Sequence, residues 1–563
     1  MLAYEPHRCG LRFRRPLFAA VSLLALFGSG ATSARAQEAY NTLSQGVGLL
    51  NNDRPTEALP YFDKALALDA RMMSAYRYRG TARQELKDYD GAIADFTLFL
   101  QTSPDDSLVL VRRGKALSAK GERQKAMDDF NNAVRYHPDY AYAFVGRGEF
   151  LLEQGDHRGA MDDFNRALQL NPNEAAAYVG RGNAYAAVND FAKAVPDFDR
   201  ALQIDRTDYF KYLLRGRARK RGGDMNGAMT DFDYAINMQP RLPQGYIDRG
   251  NAWNDQNQYE RAVKDYDQAI SLDPRSVLAW NNRGSTRRIQ RDYLNALADL
   301  ARAIELDPTF LDAYKNRART YEDQGQGDAA VAEYTNILAK QPDDVFALLR
   351  RAAVRQSQGK LDDALADFSR AQTLSQRDPQ ILMYRGGAWL LKQDWDRAIA
   401  DFTAALQLNS NLPEAYFNRG YAWEEKNEPD RAVSDYTKAI ELNPNDPEFY
   451  LNRGIARESQ QDFNGAIADY DASLKLNDRN ALTYYNRGNA RQQLKQFDQA
   501  VIEYEKALAL DPQLAWAYAG RGLVRLAQNR TSEADADFTK ALKLDPPLKP
   551  ELDARIREVQ NRK

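Results

Sequence analysis

The chain contains a single cysteine, Cys9, and three histidines, His7, His137 and His157, in 563 residues. So few thiols and imidazoles leave little from which to build disulfides, zinc centres, or thiol- and histidine-based catalysis. No unbroken apolar run approaches the roughly twenty residues that a membrane-crossing helix needs. With a mean hydropathy of −0.66, a polytopic membrane protein is excluded. Neither charge dominates: 77 basic side chains face 79 acidic ones, a formal net of −2, and no nucleic-acid partner is expected from such a balance. Nothing in this composition calls for a metal or a cofactor. What is plentiful is apolar and aromatic surface, 44 % and 11 % of residues, enough for a sizeable packed core.

The longest apolar stretch lies at the start. Arg8, Arg12, Arg14 and Arg15 precede LFAAVSLLALFG at positions 17–28, and small residues then lead to Ala34, Arg35 and Ala36. A basic, then apolar, then small-residue order is that of a secretory signal peptide, so residues 1–36 are expected to be removed before Gln37. About twelve apolar residues are too few for a retained anchor, and no integral span is expected after cleavage. Cys9 precedes the apolar stretch and so does not sit where a lipoprotein is acylated. Arg14-Arg15 is followed by Pro16-Leu17-Phe18, a poor twin-arginine signal, which favours general secretion. The mature chain, expected in the periplasm or secreted, would carry no cysteine and a net charge of −6. Its stability must then come from packing.

One spacing organises the rest. A small residue recurs every 34 positions: Gly46, Gly80, Gly114, Gly148, Gly182, Gly216, Gly250, Gly284, then Ala318 and Ala352, then Gly386, Gly420, Gly454, Gly488 and Gly522. Twelve residues after each stands an alanine, from Ala58 to Ala534, and four further on an aromatic such as Phe96, Tyr266 or Phe402, with Leu300 as the exception. A large apolar residue often comes four before the small one, as at Tyr76, Trp280 and Tyr416. These offsets place small and large residues on single helical faces, which predicts a hairpin of two helices approaching closely at the small residue. Prolines such as Pro104, Pro138, Pro274 and Pro444 are expected to end the second helix. Ala70, Arg206, Gln376, Ser410 and Asp478 replace that proline, where local curvature could differ.

This pattern resembles the tetratricopeptide repeat, the 34-residue helix-turn-helix family. The resemblance covers roughly residues 39–548. It implies an all-α solenoid, a right-handed superhelix of about fifteen repeats (39–72 through 515–548, within an array spanning 37–548), with a concave face, lined by the first helices, that holds a partner protein or peptide. Residues 549–563 are expected to form a capping helix, since Leu552, Ile556 and Val559 make one apolar stripe.

The residue before the small one is arginine in fourteen repeats: Arg79, Arg113, Arg147, Arg181, Arg215, Arg249, Arg283, Arg317, Arg351, Arg385, Arg419, Arg453, Arg487 and Arg521. Sixteen residues after each lies an acid, and the first repeat lacks both, with Gln45 and Tyr61 instead. Joint presence and joint absence predict a structural ladder of arginine–acid pairs across helices. Candidate partner-binding positions lie elsewhere on the first helices. Asn282, Asn316, Asn418, Asn452 and Asn486 share the position two before the small residue, where an amide suits a peptide backbone. Arg217, Lys220 and Arg221 in repeat six, and Arg288, Lys315, Arg319 and Arg350 in repeats eight to ten, make a basic middle. Glu414, Glu424, Glu425, Glu448 and Glu458 make an acidic stretch in repeats twelve and thirteen, which would orient a partner of complementary charge. The family's carboxylate clamp is incomplete here. His137 and His157 read as exposed turn residues without a nucleophile or ligand cluster, so no catalytic site is expected. The expected function is a non-enzymatic scaffold or adaptor, with an architectural part in an envelope secretion or polysaccharide-export assembly as the alternative.

Overall fold

The structure, a computed structural model, describes residues 30–561. Most of the expected signal peptide, residues 1–29, lies outside the described residues. From Gly30 the chain is already helical and runs to Asn51 without a break. No glycine or proline interrupts positions 31–45 of this helix. Among the described residues there are helices and turns and no strand.

Two compact units divide at Gln256 and Asn257. The first carries six hairpins, from Gly30–Asn51 with Pro55–Leu68 to Tyr209–Arg221 with Met225–Met238, and then the single helix Pro243–Asp255. The second opens with the helix Tyr259–Leu272, continues with eight hairpins from Val277–Ile289 to Thr531–Leu544, and ends in one 3-10 turn and the helix Lys549–Asn561. In both units the first helices of repeats two to fifteen have 13 residues, and each is joined by a short turn to a second helix of usually 14.

That turn has one requirement. Seven residues after each small residue the backbone is left-handed, at glycine in five repeats, such as Gly121 (φ +79°) and Gly325 (φ +71°), and at side-chain-bearing residues in ten, such as Lys87 (φ +64°) and Gln461 (φ +62°). Glycine adopts this conformation without steric cost, whereas Lys87 and Gln461 do not. The residue that follows often caps the second helix: the Asp462 carboxylate accepts from the Gly465 amide at 2.9 Å. At the far end the second helix closes on an extended residue, His137 before Pro138 at φ −129°, ψ 80°. Proline enforces that geometry on its predecessor. Asp69, Asp205, Asn409 and Asn477 adopt it with no proline following, so these turns keep the same course.

The core is a chain of ring-into-gap contacts. A Cβ placed on Gly80 would lie 2.8 Å from the Phe96 ring, on Gly420 2.9 Å from Tyr436, and on Gly522 2.6 Å from Phe538. The rings and the repeated alanines are buried throughout. At the C-terminal end, Leu548 and Leu552 are buried, with Ile556 and Val559 half-buried, against Ala519, Leu523 and Phe538. Thus the last helix covers the apolar face that a further repeat would have covered. Within each unit the first helices of neighbouring repeats touch one another, while second helices pack on first helices, so the first helices form the inner row.

Candidate partner-binding face

The inner row is held by its arginines. Arg79 Nε and Nη2 donate to the two oxygens of Asp95 at 2.9 and 2.7 Å, and the same fork joins Arg113 to Asp129, Arg147 to Asp163, Arg181 to Asp197, Arg283 to Asp299, Arg351 to Asp367, Arg385 to Asp401, Arg419 to Asp435, Arg453 to Asp469 and Arg521 to Asp537. Arg215 meets Asp231, Arg317 meets Glu333 and Arg487 meets Glu503. Each acid is nearly buried; Asp231 is 0 % exposed. A further contact was not read from the sequence. The remaining nitrogen, Nη1, usually reaches back sixteen residues to the preceding second helix, from Arg79 to Asp63, Arg113 to Thr97, Arg147 to Asn131, Arg249 to Asp233 and Arg419 to Thr403. The tyrosine or tryptophan three residues earlier lies against the same guanidinium, as Trp280 does with Arg283 at 4.6 Å. With its donors engaged, this arginine column joins one repeat to the next and has little left for an external anion.

Most candidate cations are also engaged within the chain. Arg217 and Lys220 reach acids of the next repeat, Asp248 and Asp255, each at 2.7 Å. Arg288 meets Asp323 at 2.6 Å, Lys315 meets Asp344 at 2.7 Å, and Arg350 is paired with Glu322. The basic middle expected from the sequence is therefore largely neutralised, because the acids that answer it lie about one repeat away. Of these candidates only Arg221 and Arg319 lack an ion pair among the described residues. Arg221 is exposed, and Arg319 stacks on Phe346 at 4.8 Å. In the first unit Glu149, at 2.7 Å, outweighs the desolvation of the half-buried Lys115 and holds it charged.

The asparagines divide into two groups. In repeats eight and nine, Asn316 Nδ2 donates to Asn281 Oδ1 at 2.9 Å, and Asn281 Nδ2 to Asn282 Oδ1 at 3.0 Å, an amide chain already closed on itself. In repeats twelve to fourteen, Asn452 Nδ2 donates to the Glu448 carbonyl at 2.8 Å. Asn418 is half-buried and Asn486 9 % exposed, and neither amide group has a hydrogen-bond partner among the described residues. His137 is exposed at its turn, whereas His157, expected there as well, is half-buried as the first residue of its helix.

Below these amides lies a feature the sequence reading passed over. The buried aromatic of the second helix is tyrosine at Tyr266, Tyr334, Tyr436, Tyr470 and Tyr504, and twelve residues before them stand Asn254, Glu322, Glu424, Glu458 and Gln492. Tyr334 donates to Glu322, Tyr436 to Glu424 at 2.8 Å, and Tyr504 to Gln492 at 2.7 Å. Repeats with phenylalanine carry Leu50, Leu152, Ala186, Leu390 and Leu526 at the earlier place, but also Gln84, Ser118, Lys220 and Gln356. Every hydroxyl in the core thus goes with a side chain on the inner row that can accept from it, a one-way rule visible in the sequence once the repeats are compared at that offset. Tyr470 is the exception. It is 0 % exposed, yet neither its hydroxyl nor Glu458 Oε1 has a hydrogen-bond partner. Burial pushes the Glu458 carboxyl up to about 7 and also raises Glu424. Among the described residues no lysine or arginine pairs with Glu414, Glu424, Glu425, Glu448 or Glu458, and no group of histidine, cysteine or acid side chains is arranged to hold a metal.

Sequence models of the tetratricopeptide repeat match residues 43–107, 111–175, 175–208, 288–352, 349–413, 413–446, 435–468, 481–514 and 517–547, and a TPR repeat model matches 250–287. No curated protein matches the chain. Among solved structures, the chain is similar to the APC/C hetero-tetramer Cut9-Hcn1, at 16 % identity over 87 % of this chain and 96 % of that one, TM-score 0.43. A tetratricopeptide repeat protein from Parabacteroides merdae matches at 18 % identity over 44 % and 99 %, TM-score 0.37. YrrB, described as a TPR protein with an unusual peptide-binding site, matches at 20 % identity over 33 % and 95 %, TM-score 0.27.

Proposed function

Because the chain belongs to the tetratricopeptide repeat family, we propose that it is a non-enzymatic scaffold or adaptor that holds an extended segment of a partner protein along its first helices, after export to the cell envelope. The observation that carries this reading is the contrast along the inner row. Most of its polar side chains are satisfied within the chain, whereas repeats twelve to fourteen leave the amides of Asn418 and Asn486 and the carboxyls of Glu424, Glu425 and Glu458 without a cationic or amide partner. A peptide backbone offers the donors and acceptors that such amides lack. Export is supported by the basic, apolar and small-residue order of residues 1–36, and the absence of catalytic work by the scarcity of cysteine and histidine.

Two measurements test this. Replacing Asn418, Asn452 and Asn486 together by alanine should abolish binding of the partner segment while circular dichroism stays unchanged; unaltered binding would refute the inner-row site. The chain recovered from cells should begin at Gln37 in the envelope fraction, and recovery from the cytosol with residues 1–36 attached would refute export.

A further inference from the structure

The second unit contains its own example of what an open glutamate on the inner row can hold. In repeat nine, Glu322 accepts from the Tyr334 hydroxyl and is paired with Arg350, which comes from the position two before the small residue of repeat ten. Repeats twelve and thirteen copy the glutamate and the tyrosine, as Glu424 with Tyr436 and Glu458 with Tyr470. The residues standing where Arg350 stands are Asn452 and Asn486. Asn452 is turned to the Glu448 carbonyl, and the Asn486 amide has no partner. The cation is thus missing twice in succession, while its carboxylate and the hydroxyl beneath are kept.

The surroundings supply no substitute. Arg453 and Arg457 both serve Asp469, Lys426 serves Asp396, and Arg491 serves Glu503. Arg555 of the last helix pairs with Glu551 and lies over Trp516. At Glu458 two polar atoms are stranded, its own Oε1 and the hydroxyl of the fully buried Tyr470. Leaving a buried acceptor without a partner is costly, so a donor reaching both atoms would recover that cost.

We propose that Glu424 and Glu458 are successive sockets for basic side chains of an extended partner peptide, arginine above all, whose guanidinium takes the place that Arg350 takes beside Glu322. The planar fork of arginine can donate to a carboxylate and a neighbouring oxygen together, which a lysine ammonium does less well. This rests on the peptide-holding reading above and names the chemistry of the partner: a segment with two basic residues spaced to meet adjacent repeats.

The test uses the full chain and fluorescently labelled alanine-serine peptides, one carrying two arginines and one carrying two glutamines. The arginine peptide should bind and the glutamine peptide should bind at least about tenfold more weakly. Glu424→Gln with Glu458→Gln should cost the arginine peptide a similar factor, whereas removing equal charge elsewhere, with Glu260→Gln and Glu305→Gln, should leave its Kd unchanged. Asn486→Arg should weaken the same peptide by filling the Glu458 socket from within, and it should raise thermal stability, which separates occupation from misfolding. Equal loss with both glutamine pairs, or no loss with either socket variant in a folded chain, overturns the sockets. If both peptides bind equally and the triple asparagine variant abolishes both, the peptide-holding reading stands and the sockets fall; if neither peptide binds, the sockets fall with it.

Discussion

Repeats nine and thirteen present a glutamate at the same place with a buried tyrosine beneath it, and they differ in what answers that glutamate. Glu322, 14 % exposed, has both Tyr334 and Arg350. Glu458 has neither a cation nor a hydrogen bond at Oε1. The difference is made by a residue of the following repeat, Arg350 in one case and Asn486 in the other. In a solenoid each repeat meets only its neighbours, so one substitution can convert a closed position into an open one without disturbing the period.

The largest test of the comparison is at the ladder beneath it. Asp299 of repeat eight is shared by Arg283 and Arg287, whereas Arg419 alone reaches Asp435 of repeat twelve. Arg419→Ala should leave a nearly buried carboxylate unpaired and cost about 3–5 kcal/mol of local stability. Arg283→Ala should cost well under that, because Arg287 remains. Hydrogen exchange resolved by repeat measures both, and equal losses would contradict the shared-acid account.

Next comes pH. The fold raises Glu458 from 4.5 to about 7 by burial. Between those values the folded state keeps a proton that the unfolded chain has released, so stability falls as pH rises through the window, by on the order of 2–3 kcal/mol. Exchange protection in repeat thirteen should therefore decline from pH 5 to pH 7.5, Glu458→Gln should flatten that decline, and repeat nine should not share it.

A smaller effect concerns the gap under the ring. A Cβ on Gly454 would lie 2.5 Å from the Tyr470 ring, so Gly454→Ala should destabilise by about 1–3 kcal/mol. Repeat nine already carries Ala318 against Tyr334, and there removing the methyl, Ala318→Gly, should itself cost about 1 kcal/mol. The same methyl thus has opposite signs in the two repeats, readable from melting temperatures. Smallest is the turn: Gln461→Gly should gain up to about 1 kcal/mol at φ +62°, and Gly325→Gln should lose as much at φ +71°.

Much of the fold was legible because the chain states each rule fifteen times. The small residue, the alanine and the ring recur at fixed offsets, and helical geometry turns those offsets into a hairpin. Arginine and acid sixteen apart could be matched by their joint absence from the first repeat. The arginine's second contact was harder to see, since Asp63, Thr97, Asn131 and Thr403 share only an acceptor oxygen and no residue type. The left-handed turn residue was masked in the same way, being lysine, arginine, glutamine, asparagine, aspartate or glycine. Of the candidate site, the positions on the first helices were legible, but their occupancy was not: Lys220 and Arg288 meet acids thirty-five residues on.

What the sequence by itself determined is the period, the helical hairpin and the column of arginine–acid pairs, because each depends on spacing within a helix or one hairpin. Only the tertiary structure decided which inner-row charges are spent and which are open. That depends on side chains from successive repeats reaching one another across the row, where a difference of one residue, Arg350 or Asn486, separates a satisfied carboxylate from a stranded one.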